Sequence, residues 1–141
     1  MKLNVTDPVI LDSFALVSLF QKEPGWRKVR DVLQNLLSRG DKAHLCLINW
    51  GEFYHVTRRR VGQKKADEAL MLLQQLPISV IPVDENLVRE AATLKSEYPI
   101  SYADAFCTAT ALQSSGQILT NDPEYHAVQH LVRVVWLKEN A

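Results

Sequence analysis

The sequence lacks the features that would mark a membrane or secreted protein. It contains no apolar run near the roughly 20 residues needed to cross a bilayer. Its first residues lack the basic region, apolar stretch and small-residue cleavage site of a secretory signal. We therefore expect a cytosolic protein with no membrane segment. No strand-to-helix junction carries a glycine-rich phosphate loop, which disfavours a nucleotide-binding protein.

Cysteine and net charge are also scarce. The chain has two cysteines, Cys46 and Cys107, without the spacing of metal ligands, so we expect reduced, buried thiols. Lys and Arg total 16 and Asp and Glu total 16, a balance that neither favours nor excludes a nucleic-acid partner. At 141 residues and 47% hydrophobic content, residues 1–141 are expected to form one domain.

Short apolar runs alternate with segments of helical periodicity along the whole chain. The predicted strands are 9–11, 43–48, 79–83, 117–120 and 131–137. The predicted helices are 13–20, 26–37, 51–60, 64–76, 84–97 and 101–113. This alternation predicts an α/β fold: a three-layer α/β/α sandwich around a mostly parallel sheet of about five strands.

Four acidic residues recur where a predicted strand gives way to a helix, or within the first helical turn. They are Asp12, Glu52, Asp104 and Asp122. Because the carboxyl ends of parallel strands share one edge of a sheet, distant acids can meet there on one ligand. Carboxylates in one cleft repel each other unless a cation neutralises them, so the pattern predicts a divalent metal site.

Helix capping offers another explanation for each of these acids. Asp12 and Asp122 can cap the helices that follow them, and Asn49–Glu52 and Ser101–Asp104 have the spacing of a capping box. Capping does not account for the apolar setting, such as Leu11 directly before Asp12. Taken singly the acids fit either role, whereas together they favour a metal site.

A basic cluster lies close to Glu52 in the sequence. It consists of Arg58, Arg59, Arg60, Lys64 and Lys65, and the first four are the candidate RNA contacts. Basic side chains around an acidic centre would suit an RNA that is held by its phosphates. A solvated helix face is the alternative, and charge alone does not separate the two.

The stretches that carry the acids resemble PIN domains of the VapC toxin type, which occur in toxin–antitoxin pairs. The matching stretches are Leu11–Leu16, Ile48–Glu52, Ser101–Phe106 and Leu119–Glu124. Each motif is short, but four in the family's order on a chain of this length form a fairly specific match.

The resemblance implies a metal-dependent endoribonuclease, in which a water activated by Mg²⁺ or Mn²⁺ hydrolyses RNA phosphodiester bonds. Its metal-site carboxylates would be Asp12, Glu52, Asp104 and Asp122, supported by the hydroxyl groups of Ser13 and Thr120. Asp104 or Glu52 could accept the proton of the water. The resemblance further implies a homodimer and a small antitoxin protein as partner.

Two other functions remain open at this point. An aspartyl phosphatase or phosphotransferase also places an aspartate after its first strand, but Asp12 lacks the second aspartate two positions later. A non-catalytic PIN-like binding module would use the acids only to cap helices. The nuclease is the main hypothesis.

Overall fold

Five short strands form one sheet in which all neighbouring strands run parallel. The computed structural model describes residues 2–138. The strands are β1 (Val9–Leu11), β2 (Ala43–Cys46), β3 (Ile78–Ile81), β4 (Gln117–Thr120) and β5 (Arg133–Trp136). They are ordered β3-β2-β1-β4-β5 across the sheet. Their apolar sequences suit a parallel sheet that is covered on both faces.

Helices cover both faces of this sheet. They are α1 (Ser13–Gln21), α2 (Trp26–Ser38), α3 (Leu47–Val61), α4 (Gln63–Gln74), α5 (Glu85–Glu97) and α6 (Tyr102–Ser114), with a 3₁₀ helix at Pro123–Val128. Residues from α1 to α4 share one core cluster, and residues from α5, α6 and the 3₁₀ helix share the other. The predicted three-layer α/β/α sandwich is confirmed. Cys46 and Cys107 are free and buried, as expected.

The strand order creates a switch point between β1 and β4. From β1 the chain builds outward through β2 to β3, then returns to place β4 and β5 on the other side of β1. Leu11 pairs with both Leu45 and Leu119, so the ends of β1, β2 and β4 lie side by side. Open α/β sheets bind ligands at such a point. Among residues 2–138, no helix is long and apolar enough to span a bilayer.

Three predicted strands have wrong boundaries. The strand predicted at 79–83 spans Ile78–Ile81, because the chain leaves the sheet before Pro82 and Val83. The strand predicted at 43–48 ends at Cys46, and Leu47 and Ile48 begin α3, where both side chains are exposed. A short apolar run does not distinguish a buried strand from the start of a helix. The strand predicted at 131–137 spans only Arg133–Trp136, since Leu131 and Val132 form a turn.

The Asn49–Glu52 capping box was also wrong, because the helix begins two residues before Asn49. The N-cap of α3 is Cys46, which makes no side-chain capping bond. Asn49 is instead buried within the helix, and its Nδ2 donates to the carbonyl oxygen of Ala103 at 3.1 Å. This bond ties α3 to the start of α6.

The turn between α1 and α2 depends on Gly25. Its φ is +94°, and a Cβ atom added there would lie 2.8 Å from Cβ of the buried Leu137. We expect Gly25→Ala to lower the free energy of unfolding by about 2–4 kcal/mol, because it combines backbone strain with a clash. Gly40→Ala is the control, since φ there is +68° with nothing within 4 Å of the added Cβ. Urea titration should show a loss of only about 1 kcal/mol for that control, and equal losses in both variants would contradict the clash.

Candidate functional site

The carboxyl edge of the sheet brings three of the four predicted acids to one cleft of about 140 Å³. Glu52, Asp104 and Asp122 line this cleft together with Ser13. Asp12 directly precedes Ser13 and is only 1% exposed. Residues separated by up to 110 positions in the sequence therefore meet at the switch point.

Asp12 is held at both carboxylate oxygens. Oδ1 accepts a hydrogen bond from the backbone N–H of Ala15 at 2.9 Å, so Asp12 caps α1 as expected. Oδ2 accepts one from the hydroxyl of Thr120 at 2.6 Å. Burial raises the pKa of Asp12 to about 7, although both hydrogen bonds act in the opposite direction. The nearby charges of Asp122 and Glu52 also raise the pKa of Asp12.

Glu52 links two helices at the wall of the cleft. The hydroxyl of Ser13, in the first turn of α1, donates a hydrogen bond to Glu52 Oε1 in α3. Glu52 is half-buried, unlike Asp12. Its position one turn into α3 leaves the carboxylate facing the cleft.

Asp104 is only 4% exposed and has one paired and one unpaired oxygen. The hydroxyl of Tyr125 donates to Oδ1 at 3.0 Å. Oδ2 is buried and has no hydrogen-bond partner among the described residues. Ser101 caps α6 through a 3.1 Å bond from Asp104 N–H, but the Asp104 carboxylate does not complete a capping box. Capping therefore leaves the burial of this carboxylate unexplained.

A fifth acid, Glu124, joins the site and was missed in the sequence. Oxygens of Asp104, Asp122 and Glu124 all lie within 4.8 Å of one another. Asp122 caps the 3₁₀ helix by accepting from Glu124 N–H at 3.0 Å, and Glu124 Oε2 accepts from Ser101 N–H at 3.2 Å. The sequence does show an acid two positions after Asp122. Whether the Glu124 side chain turns toward the cleft depends on the 3₁₀ helix, which the sequence pattern did not predict. Asp12 and Glu52 lie outside this tight group.

Burial is the main cause that raises the pKa of Asp104, and the neighbouring Glu124 and Asp122 raise it further. The pKa of Glu124 is lowered, chiefly by the neighbouring Asp104 carboxyl group. A free carboxylate oxygen beside two more carboxylates calls for a proton or a cation. All-oxygen donor sets suit hard divalent cations such as Mg²⁺ and Mn²⁺, so these residues fit the implied metal.

The predicted basic cluster divides between two faces of α3. Glu52, Val56 and Arg60 are four residues apart and line the cleft, with Arg60 about 12 Å along the helix from Glu52. Arg58 and Arg59 line a different surface depression, and Lys64 is exposed on α4 outside both. Only Arg60 of this cluster is therefore placed to meet a ligand in the cleft.

The buried acids make the stability of the metal-free protein depend on pH. A raised carboxyl pKa stabilises the folded state at low pH, and this contribution is lost as pH rises through the folded value, about 7 for Asp12. We expect the free energy of unfolding in EDTA to fall by on the order of a few kcal/mol between about pH 5 and about pH 8. The lowered pKa of Glu124 acts only in more acidic solution.

Asp104→Asn should flatten this profile and raise the melting temperature at about pH 8, because asparagine is neutral in both states, whereas Asp104 must take up a proton when the protein folds at that pH. Asp84→Asn is the matched control. Asp84 caps α5 by accepting from Leu87 N–H at 2.8 Å, lies outside the cleft, and asparagine caps as well as aspartate. A profile that stays steep in Asp104→Asn would contradict this account.

Comparison with known proteins agrees with this architecture. A chain of VapBC2 from Rickettsia felis bound to a promoter DNA fragment superposes with a TM-score of 0.73 at 14% identity, over 91% of this chain and 97% of that one. VapC20 of Mycobacterium tuberculosis, a sarcin-ricin loop cleaving toxin, superposes with a TM-score of 0.71 at 16% identity, over 85% of this chain and 94% of that one. FitAcB from Neisseria gonorrhoeae superposes with a TM-score of 0.65 at 23% identity, over 89% of this chain and 95% of that one.

These superpositions show a shared fold. A search of curated proteins found no match. The sequence model of the PIN domain, however, matches residues 9–131. That range spans all four predicted acids and Glu124. The chain belongs to the PIN-domain family.

Proposed function

We propose that this protein is a metal-dependent endoribonuclease that acts as the toxin of a toxin–antitoxin pair. The observation that carries the proposal is the buried Asp104 carboxylate, which has one oxygen without a hydrogen-bond partner among the described residues and lies in a group with the carboxylates of Asp122 and Glu124. Burying a carboxylate without a hydrogen-bond partner is unfavourable, and such groups are typical of functional sites. A divalent cation would satisfy all three carboxylates at once.

Asp104, Asp122 and Glu124 would hold the cation, with the charge of Asp12 beside them. A bound Mg²⁺ or Mn²⁺ supplies a more acidic water and stabilises negative charge on a phosphate. Thr120 and the N-terminus of α1 hold Asp12 in place through its two hydrogen bonds. The negative charge of Asp12 would thereby attract the cation without any change in the orientation of its side chain.

Glu52 is the better placed of the two proposed proton acceptors. Ser13 occupies Oε1 of Glu52, which orients the carboxylate and leaves Oε2 as the oxygen able to take a proton from an attacking water. Asp104 is less suited, because it is buried and one of its oxygens accepts from Tyr125. General-base catalysis requires a carboxylate within reach of the water, and Glu52 lines the cleft.

The geometry argues against the aspartyl phosphatase. A nucleophilic aspartate needs an oxygen that can approach phosphorus, but Asp12 is buried and both of its oxygens are hydrogen-bonded. A module whose acids only cap helices would not need Asp104 or Glu52, which make no capping bond with their carboxylates. Neither alternative accounts for the three clustered acids.

RNA as the substrate and an antitoxin as the partner rest on the family resemblance and on surface chemistry. The Mycobacterium tuberculosis protein with this fold is a sarcin-ricin loop cleaving toxin, and VapBC2 from Rickettsia felis shares the fold as well. Met71 and Leu72 on α4 are more than half exposed and would suit a partner helix or a second copy. We propose a homodimer that works in the cytoplasm.

The nuclease proposal predicts that purified protein cleaves RNA when Mg²⁺ or Mn²⁺ is added and stops when EDTA is added. Asp104→Asn should lower the cleavage rate at least about 100-fold, because it removes a charge that the cation needs. It should also abolish growth arrest on expression. Asp84→Asn is the control and should behave as wild type in both assays, since it replaces a cap outside the cleft.

Three results would reject this proposal. One is the absence of RNA cleavage with either ion. Another is full activity in Asp104→Asn. The third is hydrolysis of small phosphoesters in place of RNA, which would favour the phosphotransferase.

The division of the basic cluster predicts unequal roles for neighbouring arginines. Arg60→Gln should raise KM for RNA about tenfold with little change in kcat, because a charged hydrogen bond to a phosphate is lost far from the reacting atoms. Arg59→Gln is its matched control: it lies on the same helix, carries the same charge and faces away from the cleft. Steady-state kinetics on one RNA would test this, and equal effects in both variants would contradict it.

A further inference from the structure

Tyr125 lies directly behind the acidic cluster. The residue is fully buried at 0% exposure, and its hydroxyl donates to Asp104 Oδ1 at 3.0 Å. Tyr125 belongs to the 3₁₀ helix that also carries Glu124 and that Asp122 caps. One short segment therefore supplies two acids of the cluster and the group that contacts the third.

The bond to Tyr125 places the two oxygens of Asp104 in different environments. A phenol hydroxyl has a single hydrogen to donate, and here it goes to Oδ1. Oδ2 is left without a hydrogen-bond partner among the described residues, and one carboxylate oxygen of Asp104 lies within 4.8 Å of oxygens of Asp122 and Glu124. The ring of Tyr125 is packed in the core, which limits movement of its hydroxyl and so restrains the Asp104 carboxylate through this bond.

We propose that Tyr125 is a positioning residue that makes Asp104 offer one oxygen to the cation and so favours Mg²⁺ over Ca²⁺. This inference rests on the proposed function of the same site. Mg²⁺ binds through single carboxylate oxygens in near-octahedral order, whereas Ca²⁺ readily accepts both oxygens of a carboxylate. Residues that hold ligands in orientation affect metal affinity strongly, typically 10-fold to 100-fold.

The test measures the dissociation constants of Mg²⁺ and Ca²⁺ by calorimetry on the full chain. In Tyr125→Phe we expect Mg²⁺ binding to weaken roughly 10-fold to 100-fold. Ca²⁺ binding should weaken much less, because the freed Oδ1 becomes available to it. Tyr54→Phe is the matched control: it removes a hydroxyl that donates to Asp67 at 2.6 Å, outside the cleft, and should leave both constants unchanged.

The outcomes separate this inference from the proposed function. Failure of the wild type to bind either ion would reject the metal site itself. Binding in the wild type with an unchanged Mg²⁺ constant in Tyr125→Phe would reject the role of Tyr125, as would an equal loss for both ions. If Tyr125→Phe does not fold, 4-fluorophenylalanine at position 125 fills the space of the hydroxyl without donating, and the same shift in selectivity is expected.

Discussion

The repulsion among carboxylates at the switch point is the constraint on which the rest of the site depends. Asp104, Asp122 and Glu124 come within 4.8 Å of one another, and the buried Asp12 adds its charge nearby. Such a cluster stays in place only if its surroundings hold it. Thr120, Ser101 and Tyr125 do so from the strand end, the helix cap and the 3₁₀ helix. The rigid parallel sheet beneath keeps these elements in register.

An acid can both cap a helix and belong to the site. The position of the preceding strand in the sheet determines which capping acids do so. Asp12 and Asp84 each follow a strand and cap the next helix through the N–H three residues on. Asp12 follows the central β1, beside the switch point, whereas Asp84 follows the edge strand β3. The same local chemistry therefore contributes to a cleft in one case and only to a helix terminus in the other.

The fold could be predicted from the sequence because it depends on periodicity, and the meeting of Glu52, Asp104 and Asp122 in one cleft because it depends on strand ends. Their role in binding a metal stays a prediction. The sequence pattern missed Glu124 and Tyr125, since their directions are set by a short 3₁₀ helix that has no apolar repeat of its own. It grouped Arg58, Arg59 and Arg60, although helical geometry turns neighbouring side chains to different faces. It misplaced the start of α3 because exposed Leu47 and Ile48 resemble a continued strand. The misses at Glu124, Tyr125 and the arginines concern side-chain direction, which a linear pattern does not encode, whereas the miss at Leu47 concerns an element boundary.

The cleft has opposite charges at its two ends, and this polarity follows from one helix. Glu52 and Arg60 lie two turns apart on the same face of α3, with Val56 between them. Arg60 is kept extended by Glu23 and Gln21, whose side-chain oxygens lie 3.2 Å from its Nη1. Since the Arg60–Glu23 pair is exposed, it is weak and a phosphate can displace it. In the proposed function, Arg60 would hold a polyanion at the basic end while one of its phosphates reaches the acids, so the face of α3 that carries Glu52 and Arg60 would orient the substrate.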